Sequence, residues 1–207
     1  MKRSSRADFD AHLGSLQSCR ACPGVQSGAV CSGVYGARVM LIGQAPGPRE
    51  PIIGKPFAHT AGKRLFAWFA VLGVDEETFR RRVHIASVIR CFPGKDSKGG
   101  DRVPDSDEIA RCGAHLDREL RMNSPKLVIA VGTLAAHQLT GDSTLIRTVG
   151  LTHRVTRAGR TFDVIVLPHP SGRSTWLNNP VNRQLLDRSL GLVAAHPAFE
   201  RTFSDRP

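Results

Sequence analysis

Aromatic side chains are scarce in this chain, with nine Phe, two Trp and one Tyr among 207 residues. That is too few for a serial stacking surface dedicated to single-stranded nucleic acid. No run approaches the roughly eighteen apolar residues of a membrane-spanning helix, and the Met1–Asp10 start lacks the apolar core of a signal peptide. The expectation is therefore a cytoplasmic protein with no membrane partner. A disulfide framework is also excluded, because five cysteines in such a chain suit metal or redox chemistry better. Acidic residues are short as well. Only 18 stand against 29 Lys and Arg, a formal charge of +11, which suits a polyanionic partner such as nucleic acid. The 41% apolar content is ordinary for a globular chain, and the length suits one domain spanning residues 1–207.

The chain is organised around Arg38–Phe69. Val39-Met40-Leu41-Ile42 reads as a buried parallel strand that breaks at Gly43. Pro46, Gly47, Pro48 and Pro51 follow, and no helix or sheet interior tolerates them. A helix begins near Ala61, with Leu65, Phe66, Trp68 and Phe69 on its apolar side. Strand, stiff loop and helix put the loop at the carboxyl edge of a sheet, where open α/β folds bind ligands. An ordinary connection is the competing reading. The loop's length, and its Gln44, Glu50, Lys55, Phe57 and His59, weigh towards function.

Elsewhere the pattern predicts a short amphipathic helix over 6–17, then Cys19-Arg20-Ala21-Cys22-Pro23 and a Gly/Ser-rich link containing Cys31. A helix starts near Val74–Glu77, and Val83–Ile89 is a second strand ending at Arg90-Cys91-Phe92-Pro93. A polar loop, Gly94–Val103, leads into a helix over Asp105–Met122. Leu127–Val131 is a strand, Thr133–Leu139 a short helix, and Thr148–Val155 with Arg160–Val166 a hairpin. A last helix covers Val181–Ala195, and a loose tail is expected over 198–207. Alternating strands and helices predict a mainly parallel sheet covered on both faces, with the helix and cysteine segment of residues 1–37 packed on it.

Cys19 and Cys22 form a CxxC pair, a weak signal alone. Cys91 closes the second strand and Cys112 lies on the helix after the polar loop. Four thiolates suit tetrahedral zinc or an iron–sulfur cluster, and spacing does not separate the two. Cys31 is left over and reads as a small buried apolar residue.

Gly43-Gln44-Ala45-Pro46-Gly47, with Glu50 and Gly54-Lys55-Pro56-Phe57, resembles the first motif of the uracil-DNA glycosylase superfamily. The branch most similar is the iron–sulfur one called family 4. His169-Pro170-Ser171-Gly172, after an apolar strand, resembles the second motif, and the similarity runs from about Cys19 to Leu190. The resemblance implies a three-layer α/β/α fold around a small, mainly parallel sheet. It implies a monomeric, monofunctional DNA glycosylase acting in base-excision repair, which hydrolyses the N-glycosidic bond of uracil or another deaminated base flipped out of DNA. It also implies a 4Fe-4S cluster on Cys19, Cys22, Cys91 and Cys112, with zinc as the alternative. The base would stack on Phe57 beside Ala45, and His169 would donate a hydrogen bond to the base oxygen where charge develops. Lys63 or Arg64, Ser171, Gly172 and Arg173 would meet DNA.

Three departures stand out. The branch has Glu where this chain has Gln44, which cannot take a proton, so Glu50 becomes the candidate for activating water or stabilising the sugar cation. The branch reads uracil with an Asn where this chain has Ser87, so hypoxanthine, xanthine or a mismatched pyrimidine are further candidate bases. The Cys91–Cys112 interval is long, which extends a surface loop. No Lys stands out as a Schiff-base nucleophile. A non-catalytic lesion-binding protein on the same scaffold is the alternative function, and a cysteine-based redox or zinc regulator a third.

Overall fold

The computed structural model of the chain describes residues 4–172 and 174–204. Its strands are β1 (Val39–Gly43), β2 (His84–Ser87), β3 (Leu127–Val131), β4 (Thr152–Arg157) and β5 (Arg160–Leu167). They form one five-stranded sheet in the order β2-β1-β3-β5-β4. All neighbours are parallel except the β4–β5 hairpin, which turns through Ala158 and Gly159, both at positive φ. The helices are α1 (Arg6–Gln17), α2 (Glu50–Ile53), α3 (Thr60–Val71), α4 (Glu76–Arg82), α5 (Ser106–Asn123), α6 (Thr133–Thr140), α7 (Leu145–Thr148), α8 (Pro180–Ala194) and α9 (Pro197–Phe203). Among the described residues none is long and apolar enough to cross a membrane.

β1 and β3 are buried along their whole length, as parallel strands covered on both faces must be. Their side chains alternate between two cores. Val39, Leu41 and Ile129 face one layer, with Leu65 and Phe69 of α3, Phe79 of α4, Leu190 of α8 and Phe199 of α9. Met40, Ile42 and Val128 face the other, with Leu116 and Leu120 of α5 and Ala135 and Ala136 of α6. The result is the expected α/β/α sandwich, which places the loops after β1, β2 and β5 together at one edge.

Three expectations need correction. Of the tail expected to be loose over 198–207, residues 198–204 are ordered on the core, and 205–207 lie outside the described residues. His196 caps α9 by accepting from the Ala198 amide at 3.1 Å, and Phe199 and Phe203 are buried with ring centroids 4.6 Å apart. Two Phe four residues apart share one helical face, and that face finds Phe69 and Phe79. Pro51 does not exclude helix, because it opens the one-turn α2, where its missing N–H is not needed. The hairpin starts at Thr152 rather than Thr148, since Leu145–Thr148 is itself a helical turn.

The amino-terminal segment is held by charge as well as packing. A Ser5–Asp8 capping box starts α1, which buries Phe9, His12 and Leu16. Glu119, fully buried on α5, is paired to Arg90 and lies 3.1 Å from His84 Nε2 and 3.5 Å from His12 Nε2. Burial alone would raise its pKa. Arg90 and His84 outweigh burial and hold the carboxyl well below the usual carboxylate value. A depressed folded pKa stabilises the fold above the ordinary carboxylate range, and that stability disappears as pH falls towards the depressed value. Glu119→Gln should therefore destabilise by about 3–5 kcal/mol at neutral pH by leaving Arg90 unpaired. In urea titrations at several pH values, its stability should also fall less steeply on the acid side than that of the unaltered protein.

Candidate active site at the carboxyl edge of the sheet

The loop leaving β1 folds back so that Phe57 covers the end of that strand. Phe57 adopts φ of 53°, a left-handed conformation unfavourable for a bulky residue. Four neighbours hold it there. A Cβ on Gly43 would lie 2.7 Å from the Phe57 ring, and one on Gly62 only 1.7 Å from the Phe57 carbonyl oxygen. Arg80 donates to the carbonyls of Pro56 and Phe57 at 2.8 and 3.0 Å. Glu50 accepts from the Gly47 amide at 2.5 Å and the Ala58 amide at 3.2 Å, closing the loop on both sides of α2. Burial raises the Glu50 pKa, while those amides pull it back. Both oxygens are committed to the loop backbone.

His169 follows β5. The Ser171 amide donates to its Nδ1 at 3.3 Å, which assigns the proton of the neutral ring to Nε2. Burial lowers its pKa, against the opposing charge of Asp101, so the imidazole is a neutral donor at physiological pH. Phe57 and His169 face one cavity of about 130 Å³, shared with Ala45, Glu50, Ser87 and Asp101. The Ser87 hydroxyl donates to the Ile89 carbonyl at 2.6 Å, so it can offer the cavity only acceptor lone pairs. Gln44 lines an adjoining space of about 380 Å³, with Lys95, Arg102 and Ser171. Ala45, Pro46, Asp101 and His169 border both spaces.

Lys63 is exposed on α3, and neither it nor Gly172 lines these cavities. Arg64 instead reaches the Ser171 carbonyl at 3.3 Å. Arg173 lies outside the described residues. Asp101 was missed by the sequence reading, which took Gly94–Val103 only as a polar connection. The signal available was Lys95-Asp96-Ser97-Lys98-Gly99-Gly100-Asp101, a polar run with two glycines at its tip. In the structure Lys95 and Asp101 bridge antiparallel across it.

The four predicted thiols meet elsewhere, beside the end of β2. Cys19, Cys22, Cys91 and Cys112 line one cavity of about 290 Å³, while Cys31 does not line it. All five cysteines are free and half-buried. Burial, with charge repulsion among the cysteines, pushes the Cys91 thiol up to about 11. Such a donor set is stable as thiolates only around a cationic centre. Arg90, buried and lining the same cavity, leaves Nε and Nη1 without a hydrogen-bond partner among the described residues. Those atoms fit an anionic, thiolate-ligated group. Among the described residues no three His, Cys, Asp or Glu converge tightly enough to hold a single metal ion.

Residues 32–189 match the family model of the Uracil DNA glycosylase superfamily. The chain belongs to that superfamily. It is similar to the Type-4 uracil-DNA glycosylase of Archaeoglobus fulgidus, at 30% identity over 79% of this chain and 81% of the relative. It is 36% identical to the Type-4 uracil-DNA glycosylase of Saccharolobus solfataricus, over 46% of this chain and 41% of that one. A Type-5 uracil-DNA glycosylase of Pyrobaculum aerophilum is 31% identical over 50% of this chain and 48% of its own.

The glycines around Phe57 give a direct check on the loop. Gly62→Ala should destabilise by about 1–3 kcal/mol through overpacking. Gly191→Ala on α8, where a Cβ meets nothing within 4 Å, should be neutral or stabilising by up to about 1 kcal/mol. Chemical denaturation of both variants checks the contrast.

Proposed function

We propose that the chain is a monofunctional DNA glycosylase that hydrolyses the N-glycosidic bond of a deaminated base flipped out of DNA. It would act in cytoplasmic base-excision repair as a single-domain monomer. The observation that carries this reading is the cavity bordered by both an aromatic face, Phe57, and a neutral imidazole donor, His169. Membership of the superfamily and similarity to Type-4 relatives support it.

The extruded base stacks on Phe57 beside Ala45. As the bond to C1′ breaks, negative charge gathers on the base oxygen, and His169 Nε2–H donates to it. A donor already in place, in a half-buried site, is worth about 3–4 kcal/mol there. Ser87 selects by acceptance alone. Uracil, hypoxanthine and xanthine each present a ring N–H beside a carbonyl, whereas cytosine and adenine have an unprotonated nitrogen at the corresponding edge. An acceptor therefore disfavours cytosine and adenine without singling out uracil, and thymine and guanine, which carry the same N–H beside a carbonyl, are not rejected by Ser87. Glu50 serves as the clamp of the loop, and Gln44 orients water or substrate from the adjoining space. Arg64, tied to Ser171, and the basic residues near the loop ends approach DNA phosphates.

Cys19, Cys22, Cys91 and Cys112 would hold a 4Fe-4S cluster, with zinc as the alternative occupant. When bound, the cluster supplies a rigid anionic cross-link between the amino-terminal segment, the end of β2 and α5, and the hydrolysis needs no electron from it. Anaerobically purified protein should contain iron and acid-labile sulfide rather than zinc. Cys112→Ser should lose both, and Cys31→Ser should retain them.

Excision from DNA containing uracil, hypoxanthine or xanthine tests the function. Free base should be released without strand cleavage, and His169→Ala should slow release by about 10²–10³-fold. Tight binding of damaged DNA with no base released from any substrate would select the lesion-binding alternative.

A further inference from the structure

The glycosylase reading does not itself name the group that takes the proton of the attacking water. Gln44 has no basic group, and both Glu50 oxygens already accept backbone amides. We propose that Asp101, carried into the cleft by the hairpin between Cys91 and Cys112, is the catalytic general base that deprotonates this water. The inference rests on the glycosylase reading and deepens it.

Asp101 borders the cavity of Phe57 and His169 and also the space that holds Gln44. Its Oδ1 is paired with Lys95 Nζ at 2.5 Å, while Oδ2 lies 3.6 Å from where a Cβ on Gly47 would stand. One oxygen is thus anchored and the other faces the first loop. The side chain is 45% exposed, so water reaches it. The charge is felt by His169, whose pKa it raises against burial.

The hairpin is built to hold this position. Asp96 accepts from the amides of Lys98 and Gly100, both at 2.8 Å, and its own amide donates to the Gly100 carbonyl at 2.9 Å. Immediately after Asp101, Arg102 is fixed to Glu108 at 2.6 and 3.0 Å and to the Pro93 carbonyl. Asp101 is therefore held between two anchored neighbours.

In the proposed step the C1′–N bond breaks and its electron pair leaves with the base. The water oxygen bonds to C1′, and the displaced water proton passes to Asp101 Oδ2. The base anion, held by His169, takes a proton from solvent, and Asp101 returns its own. The products are the free base and an abasic sugar.

Single-turnover excision on uracil- and hypoxanthine-containing DNA tests the assignment. Asp101→Asn should slow release by about 10²-fold or more, with the Kd for damaged DNA changed less than threefold, on the order of a surface contact. Asp101→Glu should recover part of the rate, and Asp101→Ala should be accelerated by added formate, which a merely structural role would not allow. An Asp101→Asn enzyme at the unaltered rate overturns the assignment. So does a loss matched by Lys95→Met with no formate rescue. Unaltered protein that releases no base overturns the glycosylase reading and this assignment together, so the two failures are distinct.

Discussion

The site depends on one unfavourable backbone conformation. Phe57 sits in the left-handed region, where a β-carbon-bearing residue stays only if its surroundings over-determine it. Two glycines remove the obstacles, Gly43 beneath the ring and Gly62 beside the carbonyl. Arg80 grips the carbonyls and Glu50 the amides on either side. The aromatic face is thereby fixed before any ligand arrives, which reduces the ordering penalty of binding. The same geometry gives Glu50 a part in holding the loop, one amide on each oxygen.

A second, independent charge network lies on the far side of β2. Glu119 draws together α1, β2 and the residue preceding Cys91. Arg90 thus faces an acid on one side and a thiol-lined cavity on the other. Its Nη2 is paired with Glu119, while Nε and Nη1 find no acceptor among the described residues.

Much of this was legible in the sequence, because it was encoded locally. Val39–Ile42 and Leu127–Val131 are apolar runs whose only stable role in an α/β chain is a covered parallel strand. Phe57 and His169 stood in recognisable motifs, and the structure brings them to one cavity. The four cysteines, far apart in the chain, do line one space. What was not legible depends on distant partners. The Phe199 and Phe203 pair looks like tail until Phe69 and Phe79 are known to wait for it. Asp101 looks like solvent-facing polarity until the hairpin turns back over the cleft. Glu50 reads as a catalytic acid, and its hold on the Gly47 and Ala58 amides appears only in the structure.

The last helix carries a consequence for the opposite end of the molecule. Phe203 packs on Phe79, and Arg82 donates to the Thr202 carbonyl at 2.7 Å, so α9 braces α4 from behind. Arg80, on the same short helix, is the residue that grips Phe57. A carboxy-terminal fusion or trimming that dislodges α9 would reach the Phe57 ring through two turns of helix, although α9 does not line the cleft.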